Sequence, residues 1–290
     1  MSSSAYYIPK PSHWPIVGCV ALLLITMGGG HWLHQDTYGM YMFFVGMAIL
    51  IFMMYGWFKT VIDENRSGKL ANKQVDLSFR WGMCWFIFSE VMFFAAFFGA
   101  LFYSRFYSVP WLGGIGHKTM THVLLWPSFK AQWPLLHNPN PGIYHGAHSV
   151  METWDIPAIN TLILLTSGVT ITIAHYGVLA NRRWQMLGGQ LATVLLGIIF
   201  LGMQAHEYSI AYLDKGLKLS AGIYGTTFFM LTGFHAMHVT IGTICLIVIF
   251  YRMLKKDFHA KNHFAFEAVA WYWHFVDVVW LFLFIFVYWI

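Results

Sequence analysis

The sequence predicts an all-α integral membrane protein with seven transmembrane helices. Of its 290 residues, 58% are hydrophobic and only 10% are charged, whereas a soluble protein of this size needs far more charge on its surface. The mean hydropathy is +0.57, and uncharged stretches of about 20 residues recur along the chain. Such stretches cross a membrane as helices, because lipid cannot satisfy the backbone polar groups of an irregular segment.

Seven apolar segments have the length that a transmembrane helix requires. They cover residues 14–33, 38–58, 81–103, 156–179, 186–211, 221–251 and 268–290. The first carries Pro15 in its first turn, where a missing N–H costs no hydrogen bond, and the fourth follows Asp155, a helix-capping residue type. The other five are predicted from their length and their scarcity of charge, since charged residues lie mainly near their ends.

These spans divide the chain into three parts. Residues 1–60 hold the N-terminal segment and the first two spans, residues 61–80 form a loop, and residues 81–290 hold the last five spans. The last part includes a loop at 104–155 that is rich in Trp, Pro, Gly and His. A loop of this length and composition predicts an ordered elaboration of the fold.

The distribution of basic residues predicts the orientation, because Lys and Arg are retained on the cytoplasmic side of a membrane. Most of the 17 basic residues precede the first span or follow the second, fourth and sixth spans. The other loops contain Arg105, Lys118, Lys130, Lys215 and Lys218. We therefore place the N-terminus inside and the C-terminus outside, which makes 61–80 a cytoplasmic loop and 104–155 an outer loop.

Charge and cysteine content exclude several classes of protein. The net charge of +5 comes from scattered residues and not from the dense basic face of a nucleic-acid-binding protein. The three cysteines, Cys19, Cys84 and Cys245, lie far apart in apolar segments, so they predict neither a disulfide framework nor a paired-cysteine metal site.

Ionisable residues inside membrane spans are costly and are candidates for function. Glu90 lies ten residues beyond Arg80, or about 15 Å along a helix, which is near the middle of a hydrocarbon layer roughly 30 Å thick. A carboxyl at that depth favours its neutral form. It could exchange protons or react chemically, or it could make a structural hydrogen bond between helices, and residue type alone leaves both alternatives open.

The remaining intramembrane polar residues are interpreted mainly as structural. His274 lies three residues before Asp277, so the two share a helical face, and a mutual or interhelical hydrogen bond is favoured over a proton relay. We expect three residues near helix ends to lie at the membrane interface and to be paired. They are His206 and Glu207 near an outer end and Glu267 near an inner end.

The chain contains fifteen histidines, a residue type that can bind haem or a metal ion. The span histidines are His31, His34, His175, His206, His235, His238 and His274. Histidine pairs at three-residue spacing, such as His235 and His238, have no third metal ligand nearby in the sequence. His206 lies at a different depth in the membrane from these two histidines, whereas a haem held by two histidines needs them at matching depths. We therefore expect no metal or haem in this chain, and interpret these histidines as helix-packing residues.

Aromatic and charged residues cluster at the inner ends of several spans. They are Trp57, Phe58, Lys59, Glu64, Arg252, Lys255, His263 and Phe264. Rings at headgroup level with cations beside them suit an anionic phospholipid. Ordinary interfacial anchoring explains the same residues, and composition alone favours that simpler interpretation.

Several motifs resemble one known family. Residues 262–283 read NHFAFEAVAWYWHFVDVVWLFL, and three further stretches agree: RWGM at 80–83 with SEVMFF at 89–94, PAINT at 157–161 with SG at 167–168, and GFHAMHV at 233–239. These motifs resemble the signature of the cytochrome c oxidase subunit III family. The resemblance covers nearly the whole chain outside the outer loop.

The resemblance implies a fold in which the first two helices and the last five enclose a V-shaped, lipid-filled cleft. It implies a non-redox accessory subunit of a proton-pumping, oxygen-reducing oxidase of aerobic respiration, with no catalytic residue in this chain. Such a subunit stabilises catalytic subunit I during turnover, supports proton uptake, binds structural phospholipids and offers a route for oxygen. Haem and copper are expected in subunits I and II.

The same resemblance implies partners and site residues. Subunit I is the main expected contact, followed by subunit II and a small subunit IV, while cytochrome c acts on the complex and not on this chain. Glu90 matches a buried, carbodiimide-reactive carboxyl, and the eight residues at the inner helix ends match lipid-headgroup positions. The family's usual Trp-Trp-Arg-Asp is here Trp57-Phe58-Lys59-Thr60, so we expect different headgroup contacts there. The long outer loop indicates a bacterial member, located in the cytoplasmic (inner) membrane.

Three alternatives stay open. The first is subunit III of a quinol oxidase, although many of those lack the first two helices. The second is a haem-bearing membrane electron carrier that uses the span histidines, and the third is an independent proton channel built on Glu90 and Asp277. A secondary transporter is disfavoured, because the sequence has no internal repeat.

Overall fold

The computed structural model describes residues 8, 11–68, 72–260 and 263–290, and this part of the chain contains helices and no β-strand. In chain order the helices are α1 Trp14–Leu33, α2 Thr37–Arg66, α3 Lys73–Tyr103, α4 Val109–Leu112, α5 Thr119–Leu125, α6 Ile156–Leu179, α7 Arg183–Leu213, α8 Ile223–Leu254 and α9 Phe264–Leu283. Short π-helical segments, Ser104–Ser108 and Phe284–Trp289, continue α3 and α9. Within the described residues, 7 helices are long and apolar enough to cross a membrane, which confirms the predicted fold class.

The observed helices agree closely with the predicted spans, and most extend beyond them. Helices α1 and α6 begin and end at the predicted residues. Helix α2 continues from residue 58 to Arg66, and α3 begins at Lys73 instead of residue 81. Hydropathy marks only the part of a helix that lies in hydrocarbon, whereas Lys, Glu, Gln and Arg are good helix formers that prolong a helix into water.

The chain forms two compact units, Met1–Trp81 and Gly82–Ile290. In the first unit, α1 and α2 approach closely through glycines. A Cβ atom added at Gly28 would lie 2.4 Å from the backbone nitrogen of Phe43, and one at Gly46 would lie 2.8 Å from that of Ile25. Only glycine fits at these positions, which is the small-residue packing typical of membrane helices.

In the second unit, Trp273 of α9 forms the centre of the helix bundle. Its side chain is fully buried, and a Cβ atom added at Gly197 of α7 or at Gly242 of α8 would lie 2.9 Å from the indole ring. The indole N–H donates a hydrogen bond of 2.9 Å to Ser167 Oγ of α6. One side chain therefore fixes the relative positions of four helices.

Candidate functional site

A carboxyl and an imidazole meet between α3 and α8. Glu90 Oε2 lies 2.8 Å from His238 Nε2, although the two residues are 148 positions apart in the sequence. The His238 side chain is 5% exposed and that of Glu90 is 21% exposed. The two residues were predicted separately, one as a candidate functional carboxyl and the other as a structural histidine, and the fold joins them.

The second hydrogen bond of His238 shows where its protons lie. Nδ1 is 2.6 Å from the backbone oxygen of Phe234, and a carbonyl oxygen can only accept, so Nδ1 is the donor. When the imidazole is neutral, Nε2 is an acceptor, and Glu90 must supply the proton of the 2.8 Å hydrogen bond. When the imidazole is charged, Nε2 donates to a carboxylate. In either state, one proton is shared between Glu90 and His238.

Aromatic rings surround this pair. The ring centroids of Phe93 and Phe94, which follow Glu90 on α3, lie 5.7 and 5.0 Å from the imidazole centroid. Tyr272 of α9 lies nearly parallel to the imidazole, with centroids 6.4 Å apart. Its hydroxyl donates a 3.4 Å hydrogen bond to the backbone oxygen of His238. Such apolar surroundings raise the cost of two opposite charges on the pair.

The other intramembrane residues make mainly structural contacts. His235 Nε2 donates a 3.2 Å hydrogen bond to the backbone oxygen of Val276, which links α8 to α9. His274 Nε2 lies 3.5 Å from Thr172 Oγ1 of α6. Among the described residues, no hydrogen bond joins His274 to Asp277, which is itself buried. The expected polar contact of His274 is therefore interhelical and not with its helical neighbour.

His206 and Glu207 occupy different environments despite being adjacent. The Glu207 side chain is fully buried in the helix bundle, where Gln204 Nε2 donates a 3.3 Å hydrogen bond to its Oε2. His206 is exposed on the surface of α7. The Glu207 side chain is thus turned towards the helix bundle, where Gln204 is its partner, and its predicted place at the membrane interface stays a prediction.

Predicted lipid-contacting residues of the first unit lie at the end of α2. The Trp57 and Phe58 side chains are about half exposed, and their rings stack with centroids 6.2 Å apart. Lys59 is exposed beside them, and Glu64 is half-buried two turns further along the helix. Exposed rings and an exposed cation at the end of a membrane helix are the residue types that suit an interfacial lipid contact.

The corresponding residues of the second unit are more enclosed. Arg252 is 5% exposed, its Nε donates a 3.1 Å hydrogen bond to Asp257, and its guanidinium lies 4.7 Å from the centroid of the Phe258 ring. Lys255 is exposed, with its ammonium 5.4 Å from the centroid of the Tyr251 ring. The guanidinium of Arg252 therefore makes its contacts within the protein.

The remaining two predicted lipid contacts, His263 and Phe264, lie at the start of α9 and are half-buried. The Phe264 ring packs edge-on against Trp271, with centroids 6.2 Å apart. Neither residue presents the open surface that Trp57 and Phe58 present.

The family model for cytochrome c oxidase subunit III matches residues 4–124 and 126–290. The chain belongs to the cytochrome c oxidase subunit III family. A human protein named cytochrome c oxidase subunit 3 is 40% identical over 287 residues, which cover 99% of this chain and 97% of the relative.

Two further relatives named cytochrome c oxidase subunit 3 agree. The protein of Dugong dugon is 41% identical over 285 residues, covering 98% of this chain and 97% of the relative. The protein of Marchantia polymorpha is 40% identical over 284 residues, covering 98% and 96%. As a member of the subunit III family whose described residues include seven helices able to span a membrane, the chain is a multi-pass membrane subunit of an oxidase complex.

Sequence reasoning missed one cluster in this subunit III. His175 at the end of α6 approaches His263 and Glu267 at the start of α9, and one ligand atom from each residue lies within 4.8 Å of the others. The four-residue spacing of His263 and Glu267 placed both on one helical face. His175 comes from another helix, so no spacing within the sequence could identify it as the third member.

Proposed function

We propose that this subunit III is the non-redox accessory subunit of a proton-pumping cytochrome c oxidase in a bacterial cytoplasmic membrane, with its N-terminus inside. Its role is to stabilise catalytic subunit I during turnover, to support proton uptake and to bind structural phospholipids. Subunits I and II carry the haem and copper, and subunit I is its main partner. The observation that carries this proposal is the enclosed, single-proton pair of Glu90 and His238.

The bonding of His238 supports a chain in which this histidine holds no haem. Both ring nitrogens of His238 are used, one by the Phe234 carbonyl and one by Glu90. His235 Nε2 donates to the Val276 carbonyl. An axial haem ligand needs a free ring nitrogen directed at the iron, so these contacts would have to break before His238 could act as one.

Lipid binding is supported best at the end of α2. Trp57 and Phe58 expose about half of their surface, and the exposed Lys59 supplies a positive charge at the same level. An anionic headgroup beside Lys59, with acyl chains against the two rings, satisfies both the charge and the apolar surface. The enclosed Arg252 contributes less to such a contact.

The accessory role is tested by oxygen consumption of the purified complex carrying Glu90→Gln. Because Glu90 is not proposed to touch the reacting oxygen, we expect the initial rate to stay close to that of the unaltered complex. We expect fewer turnovers before the activity decays, because proton uptake into subunit I is less well supported. Oxygen-electrode progress curves measure both quantities in one experiment.

His34→Asn is the control, because His34 is exposed at the end of α1 and belongs to the other compact unit of the chain. It should change neither the initial rate nor the decay. Immediate and complete loss of oxygen reduction in Glu90→Gln would contradict the accessory role. An unchanged decay would show that the pair does not support turnover.

A further inference from the structure

We propose that His175, His263 and Glu267 form a binding site for a divalent transition-metal ion of the Zn²⁺ type. This site is separate from the Glu90–His238 pair and does not depend on the function proposed above. It lies where the end of α6 meets the start of α9. Two imidazoles and one carboxylate are a ligand set that zinc binds in proteins.

The distances suit one metal ion. His263 Nε2 lies 2.9 Å and His175 Nε2 lies 3.6 Å from Glu267 Oε1. Ligands bound to a tetrahedral zinc ion at about 2.0–2.1 Å are separated from one another by about 3.3 Å. All three ligand atoms lie within 4.8 Å of one another, so the side chains must move closer together to share one ion.

The hydrogen bond of His263 directs a lone pair into the cluster. Its Nδ1 lies 3.3 Å from the backbone oxygen of His259, so Nδ1 donates and Nε2 of the neutral ring is an acceptor. In metal sites, the histidine ring nitrogen that does not bind the metal commonly donates a hydrogen bond to a backbone carbonyl. Nε2 of the neutral ring and the Glu267 carboxylate are then two acceptors 2.9 Å apart, a contact that either a proton or a metal ion between them stabilises.

The surroundings of His175 favour a metal ion over a single bridging proton. A proton between His263 and Glu267 neutralises that contact but leaves His175 Nε2 unexplained. This atom is buried and makes no hydrogen bond within the described chain, although it faces the same carboxylate. A metal ion satisfies all three groups at once.

There is room for a further ligand. A cavity of about 210 Å³ adjoins the cluster and is lined by Thr172, His175, Glu267, Ala270, Trp271 and His274 among others. A water molecule can enter a cavity of this size and complete a four-coordinate shell. Three protein ligands with one open position predict an exchangeable ion rather than a permanently enclosed structural one.

The test is zinc binding to the full oxidase complex that contains this chain. The complex is first freed of loosely bound metal by a chelator, and equilibrium dialysis against radioactive Zn²⁺ then measures the affinity. We expect a saturable zinc ion on this chain, bound at least about tenfold more weakly in Glu267→Gln, which keeps the side-chain volume. His34→Asn, at an exposed histidine elsewhere, should bind zinc as the unaltered chain does.

Two outcomes would overturn the proposal. Equal binding by the unaltered complex and by Glu267→Gln would indicate an adventitious ion only. No zinc binding attributable to this chain would indicate that a proton bridges the cluster.

His175→Cys provides a second reading if Glu267→Gln does not assemble. Because thiolate is also a zinc ligand, we expect the variant to keep its zinc and to show one sulfur at about 2.3 Å by X-ray absorption spectroscopy. A zinc shell without sulfur would contradict the assignment of His175.

Discussion

Glu90 shares one proton with His238, so its chemical reactivity depends on which residue holds that proton. Nδ1 of His238 is committed to the Phe234 carbonyl, which leaves only Nε2 to accept from Glu90. The rings of Phe93 and Phe94 lie beside the imidazole, and the Glu90 side chain is 21% exposed. In such surroundings a neutral acid beside a neutral imidazole avoids burying two charges.

A hydrophobic carbodiimide should therefore label Glu90 at neutral pH, because the reagent reacts with a protonated carboxyl in an apolar setting. Glu90→Gln should abolish the labelling, and peptide mass spectrometry locates the modified residue. His238→Asn should keep it, since the carboxyl retains its proton when its basic partner is removed.

The variants also separate the two protonation states. Labelling that is absent from the unaltered chain but present in His238→Asn would mean that the pair is charged. The neutral arrangement would then be wrong, although the shared proton would remain.

Close packing around Trp273 depends on the absence of side chains at two helical positions. Gly197 of α7 and Gly242 of α8 leave the space that the indole occupies. Helices in lipid gain little from burying apolar surface, so close contact and interhelical hydrogen bonds hold them together. The hydrogen bond from Trp273 to Ser167 adds one such contact to α6.

Gly197→Ala should destabilise the helix bundle by about 1–3 kcal/mol, because the added Cβ would lie 2.9 Å from both Trp273 and Thr243. Gly202→Ala is the matched control on the same helix, since a Cβ atom there meets no atom within 4 Å. Thermal unfolding in mild detergent should show a lower midpoint for Gly197→Ala and an unchanged or slightly higher one for Gly202→Ala. Equal midpoints for the two variants would contradict the packing account.

Hydropathy predicted the helices well because it measures a local property of each segment. The limits of α1 and α6 were correct, whereas the extensions of α2 and α3 lie in polar sequence that hydropathy does not detect. The partners of Glu90 and His263 were not predictable. They depend on how each helix is rotated about its axis, and the rotation is set by contacts with other helices.

Across the whole molecule, the spanning helices differ in the share of their residues that is buried. Helices α6–α9 bury at least 39% of their most apolar segments, whereas the segments of α1, α2 and the span containing α3 bury 17% or less. The first three spans therefore present most of their apolar surface to their surroundings. Lipid and other membrane subunits both cover such a surface, as expected for one subunit of an oxidase complex.

The central claim is that this subunit III supports an oxidase without holding a redox centre. The most direct test is to purify its complex in mild detergent, strip this chain from its partners and measure haem in each fraction by absorption spectroscopy. We predict that the haem stays wholly with the partner subunits. Stoichiometric haem on this chain would contradict the account and would require His206, His235, His238 or His274 to act as ligands.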